Sequence, residues 1–451
     1  MRSLVSPTSL ASLFVVMAAC SSSATTSDPP PVANEPVDAA TPDVEVDAGA
    51  EAGEAGPPPE PPRYVDTCVA KTSCPSEPSV AEGSGITALD RCGFALEESA
   101  GVASPSEVVT ALASITTRVT VTDVLSDANR IATATTTVPG SPAGVQYAFR
   151  WQADDDASIA WTPQGITGSA DATPDGKIGG RSAVLVSFYD EPVAGSGEEN
   201  RGVRIAFVDV TVPSTPRYRF ALLVAPTGTK AAPSFDPIRI HAGGIAWYGD
   251  RLYVADTSRG LRVFDMRSIL RVATDAGPFG CSGGTCRAGT YKYVIPQIGT
   301  YSLVSPCKPI FSWVALDRKS TPPALVSGEY CSATACAGPL AGRVFRWPLD
   351  PSTGLLRSKT TYPLEAALMG QRQVQGGAFV GATLYLSSSA PAADGGDLYR
   401  VSKGKSATSG WGNNPEDLMV DANAGWLWSL TEKADSRSVF AVSLASYPPP
   451  P

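Results

Sequence analysis

His241 is the single histidine among 451 residues, so any Ser-His-Asp or Cys-His catalysis in this chain passes through it. It stands two residues before Gly243 and Gly244, just ahead of the apolar run IAWY. The other side chains suited to acid-base work or to ligation through oxygen are carboxylates and amides at the ends of apolar runs. Gln164, Gln375, Glu416 and Asp417 stand, like His241, where such runs begin; Asp190, Asp256, Glu329 and Glu432 stand where the following runs end. Gathered on one face, these groups could supply an acid and a base for hydrolysis, or hold a divalent cation such as calcium. The competing reading is structural: the same carboxylates cap strand ends and pair with Arg204, Arg262, Arg343 and Arg346.

Two motif-like strings carry less. Gly280–Gly284 has GxSxG spacing, but Ser282 falls between Cys281 and Cys286 in a loop and not at a strand-to-helix elbow. Asp171–Gly176 begins like a calcium loop, yet its twelfth position is Ser182 instead of a bidentate glutamate, and a Pro-Asp-Gly turn accounts for it.

Whether the polar residues meet depends on the elements that carry them. From Trp161 onward a unit of three apolar segments recurs in five places. The first segment reads PQGIT, HAGGIAW, IFSWVAL, QGGAFV and PEDLMV; the second reads VLVSFYD, RLYVADT, ALVSGEY, TLYLSSS and WLWSLTE; the third reads GVRIAFV, GLRVFDM, GRVFRW, GDLYRV and SVFAVSL. Short runs of β-branched and aromatic residues bounded by Gly, Asp, Pro and Ser predict strands, and Gly249-Asp250 predicts a hairpin turn. A small antiparallel sheet with an apolar face is not stable alone, so the copies must stack. Radial stacking predicts an all-β fold, a β-propeller of five blades, with room in the long gaps for a sixth. The segment QYAFRWQAD from Gln146 supplies the outermost strand of the last unit and closes the ring. A pair of β-sandwiches is the alternative, but it does not require a repeated three-strand unit.

The stretch HAGGIAWYGDRLYVADTSRGLRVFDM, with PQGIT before it and WLWSLTE after it, resembles a family of uncharacterised secreted bacterial β-propeller lipoproteins, loosely akin to lactonase-like and NHL-type propellers. The resemblance covers most of residues 104–446 and implies the fold. In metal-dependent lactonase-like propellers a glutamate, asparagines and an aspartate hold an ion at the channel mouth. Here Asn413, Asn414 and Glu416 lie in one loop, which makes Asn414 and Glu416 the metal candidates; the rest of that ligand pattern is not recognisable.

The ends of the chain predict an address. Residues 1–19 read as an export signal, with an apolar run Leu10–Ala19 after Arg2, and Ala18-Ala19-Cys20 resembles a lipobox, which implies a lipidated Cys20. Residues 20–62 hold nine acidic residues, no Lys or Arg and no aromatic residue, and read as a disordered Pro-rich tether reaching up to about 130 Å at about 3.1 Å per residue. Residues 63–145 form a segment with one short helix, for which Ser104, Pro105 and Glu107 suggest a capping box ahead of Val108, Val109, Leu112 and Ile115. Residues 146–446 form the propeller and 447–451 a Pro tail.

The net charge of −9 belongs to the tether, which leaves the folded part close to neutral and gives no basic face for nucleic acid. Nine cysteines less Cys20 leave an even set, which predicts disulfides in an oxidising compartment. Cys281 with Cys286 and Cys331 with Cys336 close small rings; Cys68, Cys74, Cys92 and Cys307 make two further bonds of open connectivity. A zinc site from the two CxxxxC pairs is the rival, but that spacing is wide and no histidine is near. The expectation is a cell-envelope lipoprotein, membrane-anchored through lipid, that binds a glycan, peptide or protein without catalysis and without a required cofactor. The alternative is a metal-dependent hydrolase or lactonase using the channel-mouth carboxylates and His241.

Overall fold

The repeated three-segment unit becomes the inner part of a blade. The structure, a computed structural model, describes residues 66–192, 199–332, 342–389 and 395–451. The expected signal peptide, Cys20, the tether and Cys336 lie outside the described residues.

The first blade runs outward through Trp161–Gly168, Ala183–Asp190, Val203–Asp209 and Arg217–Gly228. The second runs through Ile245–Tyr248, Arg251–Asp256, Gly260–Asp265 and Tyr293–Leu303. The third is Phe311–Asp317, Ala324–Glu329, Arg343–Pro348 and Glu365–Leu368, and the fourth is Val374–Val380, Thr383–Ser388, Asp397–Ser402 and Lys405–Gly410. The fifth takes Pro415–Asp421, Trp426–Thr431 and Ser438–Ser443 from the end of the chain and adds Val145–Arg150 and Thr133–Thr135 from before the first blade. The fold is a five-bladed β-propeller. The outer strands of the first two blades also pair in parallel, Leu222–Val224 against Val294–Pro296, which joins both blades into one continuous sheet.

The five gaps between blades hold five separate hydrophobic clusters. Val184, Val186 and Phe188 face Trp428 and Leu430 across the gap between fifth and first blades, while Leu185, Ile205 and Phe207 face Ile245, Trp247 and Val254 on the other side. Tyr253 and Ala255 meet Val314 and Phe345; Trp313 and Val326 meet Leu384 and Leu386; Tyr385 and Leu398 meet Leu418 and Phe440. Successive residues of one strand therefore enter different cores. This is why the middle strands read as unbroken apolar runs instead of alternating, and why a blade with two apolar faces must lie between two others.

The segment before the ring straps its outside. Thr87–Ala88 pairs on the outer edge of the third blade and Leu96–Glu98 on the outer strand of the second. Disulfides join Cys68 to Cys92 and Cys74 to Cys307, the second over a separation of 233 residues. Cys281–Cys286 staples the hairpin Gly280–Ser282 and Thr285–Arg287, whose Cys281 N–H donates to Ser234 at the outer edge of the first blade, 2.8 Å. Cys331 is also disulfide-bonded. The helix spans Glu107–Ile115, but its cap is Ser106 and not Ser104: the Ser106 hydroxyl accepts from the Val109 N–H, three residues on. Val109 and Leu112 are buried, whereas Ile115 is exposed. A second helix, Val121–Ser126, carries the reciprocal capping box, formed by Thr120 and Asp123.

A polar knot locks the ring where its two ends meet. The short helix Ala153–Asp156 follows the closing strand, and buried Asp155 accepts from Arg204 at 3.1 Å, from Tyr218 at 2.6 Å and from Arg130 at 2.9 Å. Arg204 is sandwiched between the faces of Phe220 and Trp161, 3.7 and 4.3 Å from their centroids. Arg437, which directly precedes the third strand of the fifth blade, donates to the Asp155 and Glu432 carbonyls and, through its backbone N–H, to Asp156. Truncating Asp155 strands Arg204 away from water. Asp155→Ala should therefore lower unfolding free energy by about 3 kcal/mol in denaturant titration, a cost typical of a broken buried ion pair; a loss below about 1 kcal/mol, in the range of a surface pair, would refute this role.

Candidate functional site

Four of the five innermost strands shift register against their neighbours near the point where they enter the ring: between Pro163 and Ile166, Phe311 and Trp313, Val374 and Gly376, and Pro415 and Leu418. Such bulges re-aim side chains. Here they present Gln164, Ser312, Gln375 and Glu416 to one cavity of about 570 Å³. The second blade reaches it through His241 and Gly243, and Tyr189, Thr257, Tyr330 and Glu432 complete the wall.

The residue after each presented side chain is constrained differently. Gly165, Gly244 and Gly376 stand where a Cβ would lie 2.8 Å or less from the backbone of the neighbouring innermost strand, so only glycine lets these strands converge. In the fifth blade the same place is taken by Asp417, which is fully buried. One of its oxygens accepts from the Ile166 N–H at 3.1 Å and the Ile245 N–H at 3.3 Å, tying the fifth blade to the first and second.

Of the residues singled out from sequence, Gln164, His241, Gln375, Glu416 and Glu432 meet in the cavity. Asp417 is turned into the strands beneath it. Asp256 and Glu329 do not line the cavity: Asp256 pairs with Arg262 at 2.8 Å, and Glu329 pairs with Arg343 at 2.7 Å while accepting from the Ile310 N–H. Asp190 likewise pairs with Arg201 at 2.6 Å. Asn414 is not among the lining residues. Among the described residues no group of three or more His, Cys, Asp or Glu side chains is placed to hold a metal ion. The carboxylate cluster expected for a calcium-like cation is thus not assembled among the described residues.

The cavity is rich in hydrogen-bonding groups and poor in fixed charge. Among the described residues no Lys or Arg lines it. Gln164 donates to Glu432 at 3.0 Å and to the Pro163 carbonyl at 3.0 Å. Glu416, 2% exposed, has no hydrogen-bond partner among the described residues, and burial, followed by the charges of Glu432 and Asp417, raises its pKa well above the usual carboxyl value. Burial also raises Glu432, against the Gln164 hydrogen bond and the nearby Arg437. His241 sits at the rim with its ring 4.4 Å from that of Tyr189; the enclosing walls lower its pKa, against the opposite pull of Glu191. The Tyr189 hydroxyl donates to Glu191 at 2.8 Å.

Tyr189, Thr257, Ser312 and Tyr330 were not singled out from the sequence, though a signal existed. Tyr189 and Tyr330 adjoin Asp190 and Glu329 at matching strand ends, and Ser312 occupies in the third segment set the place of Gln164 and Glu416.

No family model and no curated protein matches this chain. Among solved structures it is similar to a gluconolactonase from Xanthomonas campestris, at 13% identity and TM-score 0.30 over 70% of this chain and 88% of that one. It is similar also to a glycoside hydrolase family 43 β-xylosidase/α-arabinofuranosidase from a compost metagenome, at 9% identity and TM-score 0.30 over 69% and 94%. At these scores the likenesses carry no argument about function, and the site stands on its own geometry.

Raised carboxyl pKa values have a thermodynamic consequence. The folded chain releases the protons of Glu416 and Asp417 at a higher pH than the unfolded chain does. Their contribution to stability is full below the ordinary carboxyl pKa and is lost as pH rises through the raised values. The melting temperature should fall as pH rises above the ordinary carboxyl range, and Glu416→Gln, which cannot ionise, should make that fall shallower. An identical pH profile for the variant would show that Glu416 titrates normally.

Proposed function

We propose that the mouth of the ring binds a neutral, hydroxyl-rich ligand, a glycan in the first instance, and that the protein presents it outside the cytoplasm from a lipid anchor at Cys20. The observation that carries the ligand class is Glu416: it is buried, has no hydrogen-bond partner among the described residues, and its ionisation is disfavoured by burial, so a ligand able to hydrogen-bond a carboxyl group in the cavity would satisfy it. Gln164 and Gln375 add amides, Ser312, Thr257 and Tyr330 add hydroxyls, and the Tyr189–His241 pair gives rings on which the apolar face of a sugar can rest. The lack of a lining Lys or Arg disfavours anionic ligands. The cystine-stapled Cys281–Cys286 hairpin lies at the outer edge of the first blade, so the contact surface of this reading is the mouth itself.

A second reading, hydrolysis, is favoured by one specific observation. Glu416 and Glu432 interact electrostatically and line one cavity, and both are raised, so two carboxyl groups that share one cavity could divide the roles of acid and base.

A calorimetric and turnover screen against neutral oligosaccharides, with lactone and ester panels alongside, separates the two. Under the binding reading Glu416→Ala weakens affinity by about tenfold, the cost of one buried hydrogen bond, while Glu416→Gln holds within a few-fold. Under the hydrolytic reading wild-type protein turns over a member of the panel, and Glu416→Gln lowers the rate by about a hundredfold or more with binding retained. Neither binding nor turnover across the panel would refute both.

A further inference from the structure

A second cavity, of about 380 Å³, opens between the fifth and first blades at the strand ends opposite the mouth. Ser169 directly follows the innermost strand of the first blade, Asp421 ends that of the fifth, and Trp426 begins the next strand. Its construction follows from register. Asp421 pairs with Trp426 and Met419 with Trp428; Trp428 stands opposite Ala441, and Ala441 opposite Tyr147. Residues two apart share a face, so a carboxylate, two indoles and a phenol project from the side of the fifth blade turned toward the first. The small Ala441 stands between two of the rings.

The rings are mutually tilted: Tyr147 and Trp428 at 71° with centroids 5.8 Å apart, Trp426 and Trp428 at 55° and 6.1 Å. Val184, Val210 and Pro213 add an apolar wall. Asp421 is the single charged residue among those lining the cavity. One of its oxygens accepts from the Asn423 and Ala424 N–H groups at 3.0 Å each, which fixes the carboxylate; the other has no hydrogen-bond partner among the described residues. Its field reaches further, since its charge is one of the causes that hold Asp171 at about 7, after burial.

Electron-rich ring faces beside one fixed carboxylate, with no competing Lys or Arg, select for a cation with an apolar skin. We infer that this cavity is a binding site for a quaternary ammonium group, independent of whatever the mouth binds. Small metal ions and protonated amines are hydrated more strongly and give up more to reach rings, whereas a trimethylammonium head gives up little.

The test titrates full-length protein with choline chloride against sodium chloride at matched ionic strength, reading indole fluorescence and calorimetric heat. Saturable choline binding is expected, weakened about tenfold by Trp426→Ala and about fivefold by Asp421→Asn, a change that keeps the turn acceptor. The uncharged carbon isostere of choline, dimethylbutanol, should bind roughly tenfold more weakly and needs no variant. Cosedimentation with phosphatidylcholine vesicles that falls in both variants relative to wild type would assign the group to a lipid headgroup; choline binding with cosedimentation unchanged by the variants would assign it to a free solute. No saturable response to choline, or equal binding of the uncharged isostere, would overturn the site.

Discussion

The pairing of Val145–Arg150 with Ser438–Ser443 is the interaction on which the molecule depends. Each blade has apolar residues on both faces, so every blade needs two neighbours, and a row of blades can satisfy that need at both ends only by returning on itself. The join is made by backbone hydrogen bonds between parts of the chain nearly 300 residues apart, then reinforced by the Asp155, Arg204 and Arg437 knot beside it. The knot is polar because it sits where three elements cross and their backbone ends need partners; carboxylates and guanidinium groups supply several bonds each.

The mouth is a by-product of the same geometry. Five innermost strands can surround an axis only if they come close, and Gly165, Gly244 and Gly376 make that approach possible. The register shifts that accompany the approach free one side chain per strand to face the axis, and in four blades that side chain is polar. The fifth blade departs from the glycine rule with Asp417, which replaces a close contact by hydrogen bonds to two neighbouring strands. Glu416 then lies beside a buried acid in an enclosed place, and burial, followed by the charges of Glu432 and Asp417, raises its pKa.

Much of this architecture was legible in the residues. The repeated three-part phrase gives the strands, their order and the ring, because a repeat that cannot hide its apolar surface alone has few ways to do so. Half of the site was legible for the same reason: equivalent places in a ring converge, which brings Gln164, His241, Gln375, Glu416 and Glu432 together. The remainder depended on pairing that composition does not reveal. Asp256 and Glu329 are carboxylates at nearly the same position as Glu432, but each is claimed by an arginine on the next strand outward, Arg262 and Arg343. Ser106 displaced Ser104 as the helix cap because capping depends on which hydroxyl lies three residues ahead of a free N–H, and the run SPSE offers two. Val121–Ser126 is short enough that its apolar period is barely expressed, although TVTD carries its capping signal.

The strap has a mechanical meaning. Force arriving along the chain from the N-terminal side meets Cys68 and then Cys74 before it meets any hydrogen-bonded strand. Cys74 passes it to Cys307, in the link between the second and third blades, so the strain is delivered through covalent bonds to the body of the wheel. Peeling of the two-residue strand Thr87–Ala88, a short pairing on the rim, is shielded from that pull, and the ring can be tugged in an oxidising setting without being unzipped.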